Sequence, residues 1–422
     1  MLRRRWTWFV LLPTLLFSAA FGQEFSATDW PGWRGPNKNG IASATARPPE
    51  RFGSNENLAW VVPIPGRGHS SPVVVGDTVY LATADTGNPT QSVIALNLQD
   101  GKTIWKRDVS RGGFPERNHP KNTEASPTIA CDGERLFVTF FHHRKIQLTA
   151  LSTDGETAWQ RDVCAYNPKA YEYGYAASPL IYKDSVIVCA EYDGPSFIVA
   201  YDRRTGQEEW RTPRPNNITF SSPVVANLAG RDQLMISGSK KVLSYDPANG
   251  KQLWAVDGTT DATCGTMVWH DNYAIASGGY PDKETLAIVA DGSGRVLWRN
   301  KEKCYVQSMI VVDDHLYALT DNGILFCWAA NDGTREKWRQ RLQGPVSASP
   351  VYAGGLIYWG NEKGTVYVFR PNASRFELVS ENRVGSSMFA SPAVSGNRLL
   401  LRVGTGSEAK YQEYLYCFAN PS

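Results

Sequence analysis

A short signature ending in proline recurs along this chain at intervals that only an internal repeat explains. Ser70-Ser71-Pro72, Ala125-Ser126-Pro127, Ala177-Ser178-Pro179, Ser221-Ser222-Pro223, Ala348-Ser349-Pro350 and Ala390-Ser391-Pro392 each precede an apolar run. Two degenerate copies, Cys264-Gly265-Thr266-Met267-Val268 and Ser308-Met309-Ile310-Val311-Val312, fill the gap between Pro223 and Pro350, with Thr266 and Met309 read in the proline position. The eight anchors, at 72, 127, 179, 223, 266, 309, 350 and 392, lie about 46 residues apart, a spacing that suits propeller blades. A chain of 422 residues would otherwise suggest about three domains.

Each unit repeats one internal order. The triplet leads into a strand such as Val73-Val74-Val75, a turn at Gly76-Asp77 and a second strand, Val79-Tyr80-Leu81. A third strand follows and turns through a glycine toward a tryptophan: Asp100-Gly101 to Trp105, Asp154-Gly155 to Trp159, Thr205-Gly206 to Trp210, Asn249-Gly250 to Trp254, Ser293-Gly294 to Trp298 and Asp332-Gly333 to Trp338. Asp-Gly and Asn-Gly supply the positive φ of tight turns. A four-stranded unit cannot bury both faces alone, so eight of them form a closed ring in which each packs on its neighbours. The tryptophans are read as wedges between blades. The seventh unit lacks one and has Leu378 there; the eighth ends at Phe418 without a fourth strand. A lone strand around Leu58-Ala59-Trp60-Val61-Val62 precedes the first unit, and placed as the outer strand of the last it closes the ring. The expected fold is therefore all-β, an eight-bladed β-propeller over residues 55–422, preceded by an extension at 23–54.

Residues 1–22 read as an export signal: Arg3, Arg4 and Arg5, an apolar stretch of about a dozen residues, and Ala20-Phe21-Gly22 before the cleavage point. A membrane anchor, the alternative, needs roughly 20 apolar residues, and Pro13 interrupts this run. The arginine pair leaves Sec and twin-arginine export both open. The chain has 44 Lys and Arg against 41 Asp and Glu, and the excess of three lies wholly in this leader. The mature chain is neutral, which argues against nucleic acid or anionic lipid as a partner. Seven cysteines show no C-x-x-C or other metal spacing, and export permits one or two disulfides of undefined pairing. His142-His143, the one histidine pair, is read as a solvated strand end rather than a metal site.

The run Ala200-Tyr201-Asp202-Arg203-Arg204-Thr205-Gly206-Gln207-Glu208-Glu209-Trp210, with relatives at 95–105 and 244–254, resembles the tryptophan-docking repeat of the PQQ-like β-propellers. The segment Trp30-Pro31-Gly32-Trp33-Arg34-Gly35-Pro36 is similar to the opening of exported members of that family. The resemblance implies one of two activities: that of the quinoprotein alcohol dehydrogenases, which bind PQQ and calcium, or that of BamB, a non-enzymatic scaffold of the outer-membrane β-barrel assembly machinery. The dehydrogenases hold their quinone against a vicinal Cys-Cys disulfide. No adjacent cysteines occur here, so none of their catalytic residues carries over. Neither a cofactor nor a metal is expected.

Residues just before the triplets should converge on the mouth of the central channel. They are Arg67, His69, Asn122, Glu124, Tyr175, Phe220, Asp261, Tyr305, Gln307 and Met388, with Tyr173 and Phe389 beside them. This mixture suits a small polar ligand or a peptide. The long connection at 107–123 is a plausible lip over the channel, and four tyrosines within 166–175 form a candidate recognition patch. Trp60, Trp105, Trp159, Trp210, Trp254, Trp298 and Trp338 are assigned to blade docking. The expected function is a monomeric, exported protein-binding scaffold of the cell envelope. The alternatives are a PQQ-dependent oxidoreductase and a carbohydrate-binding module.

Overall fold

The computed structural model describes residues 25–407 and 410–421, so the leader at 1–22 lies outside the described residues. Among the described residues 32 strands form eight four-stranded antiparallel sheets. The blades span residues 73–111, 130–165, 180–214, 224–257, 268–300, 310–341 and 351–383, and the eighth is completed from both ends of the chain. Its order is Leu58–Ile64, Gln412–Ala419, Arg398–Thr405 and Ala393–Ser395. The register runs from Leu58 opposite Phe418 to Ile64 opposite Glu413, the strand-swap closure that the unpaired first strand predicts.

Strand burial follows position within the blade. The second and third strands are packed on both faces; Ser196–Asp202 is buried at all but its last residue. The outer strands are half wet, as in Glu208–Arg214, where exposed and partly covered side chains alternate. This is why the inner runs are continuously apolar while the fourth strands carry Lys, Arg and Glu. No helix among the described residues is long and apolar enough to cross a membrane.

Blade-to-blade docking explains the Gly-to-Trp spacing. A Cβ on Gly206, at φ +68°, would lie 2.7 Å from the Trp159 ring, so the turn glycine provides both the backbone conformation and the flat seat for the preceding blade's indole. Each buried indole removes roughly 150–250 Å² from water, about 4–6 kcal/mol at ~25 cal/mol per Å². The indole N–H groups of Trp60, Trp105, Trp159, Trp298 and Trp338 donate to carbonyls of the next blade, those of Leu98, Thr153, Arg203, Ala330 and Asn372, at 2.8–3.1 Å. Two depart from that pattern. Trp254 donates to Gln233 Oε1 of its own blade at 2.7 Å, and the buried Nε1 of Trp210 has no acceptor although its ring seats on Gly250.

Where the seventh blade lacks a tryptophan, Leu378 is exposed and the N-terminal segment fills the seam instead. Phe52 is buried there with its ring 4.8 Å from Phe418, and its amide donates to Asn382 Oδ1 at 3.0 Å. The Glu50 carbonyl accepts from Ser380 and Asn382, and Tyr358 OH donates to the Pro48 carbonyl at 3.2 Å.

Two repeat anchors need correction. In blade 2 the inner strand pairs Ala130 with Phe137, as Val73 pairs with Tyr80, so Ile129 rather than Pro127 occupies the proline position. In blade 5 Val268 pairs with Ile275, which puts Met267 there and Thr266 in the serine position. The seven cysteines are all free thiols, and His142 is buried against Gln147 Oε1 at 3.1 Å rather than solvated.

Candidate functional site

Placing Thr128 and Thr266 in register aligns one hydroxyl per blade: Ser71, Thr128, Ser178, Ser222, Thr266, Ser308, Ser349 and Ser391. These form a ring around the channel. The amide of Ser71 donates to Thr128 Oγ1, that of Thr128 to Ser178 Oγ, and that of Ser178 to Ser222 Oγ. Thr266 to Ser308, Ser308 to Ser349, Ser349 to Ser391 and Ser391 to Ser71 continue it, all at 2.8–3.0 Å. At the eighth position the Thr266 hydroxyl accepts the Trp33 indole N–H at 2.8 Å instead.

Trp33 belongs to a segment that crosses the floor of the ring. Trp30 bridges to Val74 of blade 1, the Pro31 carbonyl accepts from Cys131 of blade 2, and Arg34 Nη2 donates to the Met309 carbonyl at 2.8 Å. Ile41 then bridges to Tyr352 of blade 7. The Trp-Arg-Gly-Pro run makes this crossing possible because a Cβ on Gly35, at φ +77°, would lie 2.7 Å from the Trp30 ring.

The opposite end is narrowed by the 107–123 connection. Lys121 reaches blade 7 and pairs with Glu362 at 2.6 Å, where Ser347 also donates. Beside it the His69 ring stacks on Phe389 at 4.4 Å, with Nδ1 3.2 Å from the Lys121 carbonyl. The space between the mouth and Trp33 is about 100 Å³, lined by His69, Asn122, Phe220, Cys264, Phe389 and ring hydroxyls. Outside this bar lies an aromatic patch. Tyr173 contacts His119 at 4.6 Å and Phe220 at 6.2 Å, and Tyr171 contacts Tyr173 at 5.6 Å and Tyr280 at 5.8 Å. Tyr280 is 46% exposed, and Tyr305 is half-buried with Lys303 Nζ 5.3 Å from its ring.

Of the residues expected at the mouth, His69, Asn122 and Phe220 line the cavity. Arg67 is exposed over the Tyr411 ring at 4.5 Å. Glu124 accepts from Asn118 at 3.2 Å, and Asp261 accepts from Asn217 at 2.9 Å and pairs with Lys240. Three residues do not face the channel. Tyr175 is buried with its OH donating to the Cys189 carbonyl at 2.8 Å, Gln307 is buried with Nε2 donating to the Leu319 carbonyl at 2.6 Å, and Met388 packs on Gly360. Adjacent residues of an extended loop point opposite ways, so Val306 and Phe389 take the channel side while Gln307 and Met388 go into the blades. Lys121, Cys264 and Trp33 escaped the sequence reading. Trp33 lay in the Trp-Pro-Gly-Trp opening, Cys264 in a degenerate anchor and Lys121 in the 107–123 connection, but none of these segments marked the side chain that faces the channel.

Burial, with Arg402 and Arg67 nearby, lowers the His69 pKa to about 3 from its ordinary 6.5. The folded protein then keeps a neutral ring that the unfolded chain protonates below about pH 6.5, so this contribution to stability is present above that pH and declines as pH falls toward 3. In urea melts at pH 7.5 and 4.5, His69→Gln should lose less stability than the wild type on acidification. Equal losses would mean that the ring titrates as it does in water.

The channel does not fit a calcium-bound quinone. Pockets for such ligands occupy about 300–1,000 Å³, and no cluster of three His, Cys, Asp or Glu that could hold a metal occurs among the described residues. The thiols are dispersed and unpaired.

The family model described as outer membrane protein assembly factor BamB matches residues 53–122, 89–336 and 282–406. The outer membrane protein assembly factor BamB of Burkholderia pseudomallei is 24% identical over 356 residues, covering 72% of this chain and 85% of that protein. The solved structure of a europium-containing methanol dehydrogenase has a TM-score of 0.67 at 13% identity, covering 94% of this chain and 98% of that one. The structure of BamB from Moraxella catarrhalis has a TM-score of 0.59 at 16% identity, covering 85% and 96%. At these identities the structural likenesses speak for the fold alone.

Proposed function

Because the chain belongs to the family described as outer membrane protein assembly factor BamB, we propose that it is a non-catalytic scaffold of the cell envelope that docks a partner protein on its mouth face. The observation that carries this reading is the narrowed channel. A plug at Trp33 and a bar at Lys121–Glu362 leave about 100 Å³ inside, too little for a cofactor together with its substrate. What the mouth face offers outward is Tyr171, Tyr173, Tyr280 and Tyr305, and tyrosines are enriched among the residues that anchor protein interfaces. The apolar leader at 1–22 supports export, and the name of the Burkholderia pseudomallei relative, matched over 85% of its length, supports outer-membrane assembly as the setting.

A photo-crosslinking residue at position 280, introduced into the full chain in its native envelope, should trap one discrete protein. The same residue at Ile104, on an outer blade edge, should not. Dye reduction by the purified protein with PQQ, calcium and an alcohol, together with no crosslink at 280, would sink the scaffold reading in favour of an oxidoreductase.

A further inference from the structure

We propose that the channel axis is a binding site for a small inorganic anion of halide size, held at the level of Ser178 and Ser222 by ring hydroxyls and balanced by Lys38 of the N-terminal plug. In the ring, each of Thr128, Ser178, Ser222 and Ser391 uses its hydroxyl oxygen to accept a neighbouring blade's amide, and among the described residues none of the four donates its own proton to a protein acceptor. All four are buried and line the cavity. A buried donor without an acceptor is costly, and each of these hydroxyls, having accepted one amide, still has a proton to donate, so the axis offers up to four O–H donors to whatever sits there.

The charge around the axis points the same way. Below the ring a second space of about 110 Å³ shares Trp33, Ser178 and Ser222 with the first, and Lys38 lines it. No carboxylate lines either space. Arg34, from the same plug, lines neither space; it is buried under blade 6 with Nε and Nη1 unpartnered, and its hydrogen bonds go to the Asn39 and Met309 carbonyls rather than to an acid. Burial lowers the pKa of Lys38 and brings that of Arg34 down to about 9, the mark of cations held without a counter-charge. Lys121 at the mouth is already neutralised by Glu362, so the uncompensated charge lies on the plug side. Spaces near 100 Å³ hold a halide or about three waters at ~30 Å³ each.

Bromide is the probe. Crystals of the wild-type protein soaked in sodium bromide should give an anomalous peak on the axis within hydrogen-bonding reach of Ser178 Oγ and Ser222 Oγ. In solution the melting temperature should rise with bromide concentration relative to gluconate, an anion too large for the site, at equal ionic strength. Lys38→Met should weaken bromide binding about tenfold, as expected for loss of one charged contact, while melting normally in gluconate. Water alone on the axis with identical melting in the two salts overturns the proposal. So do bromide peaks confined to the outer surface.

Discussion

Deletion of residues 58–64 is expected to abolish the cooperative unfolding transition of the whole ring, leaving a protein with no thermal midpoint by circular dichroism. The strand pairs with Gln412–Ala419 along its length, carries the fully buried Ile64, and seats Trp60 on Gly101 of blade 1. Losing Trp60 alone costs about 3–5 kcal/mol and Ile64 about 2–5 kcal/mol, before the ladder bonds at ~1 kcal/mol each. That sum reaches the roughly 5–15 kcal/mol that stabilises a typical domain. Closure concentrates the loss, because this strand completes blade 8 and carries the docking tryptophan between blades 8 and 1. A truncated protein with an unchanged midpoint would refute the closure.

The second large effect is expected at the same seam. Arg402 Nε donates to Glu413 Oε2 at 2.7 Å with both side chains almost fully buried, and Arg402 Nη1 donates to the Ala82 carbonyl of blade 1 at 2.7 Å. The Gly68 amide donates to the same carboxylate at 3.1 Å. Arg402→Met strands the Glu413 carboxylate without a cation, a change that costs about 3–5 kcal/mol in comparable buried pairs. The double variant Arg402→Met/Glu413→Leu should recover much of that loss, because a well-packed apolar pair avoids the desolvation of both charges. Urea denaturation of the four proteins in this cycle gives the coupling directly. A single-variant loss below ~1 kcal/mol would mean that water reaches the pair.

The blade count, the four-strand order and the closing strand were legible because propeller repeats are stabilised by near neighbours. The Asp-Gly turn and the Trp that follows it meet in space at each repeat, so their spacing is itself a contact. The inner strands were legible to within two residues. In blade 2 the triplet Ala125-Ser126-Pro127 mimics the anchor, but Ser126 turns back to Thr123, and Thr128 enters the hydroxyl ring instead. No local pattern separates Ser126 from Thr128, since both are small hydroxyl residues beside a proline.

The site was less legible. Which of Met388 and Phe389, or Gln307 and Val306, faces the axis depends on how each connecting loop twists as it enters its blade. Lys121 matters because Glu362 lies across the channel from it, 241 residues away in sequence. The sequence alone determined the ring, since a periodic arrangement of turns, apolar runs and tryptophans can bury its faces only by stacking blade on blade. Only the tertiary structure decided that the ring is stoppered. Trp33 and Lys121 meet their partners across the axis, and contacts between residues so far apart leave no period for a sequence to display.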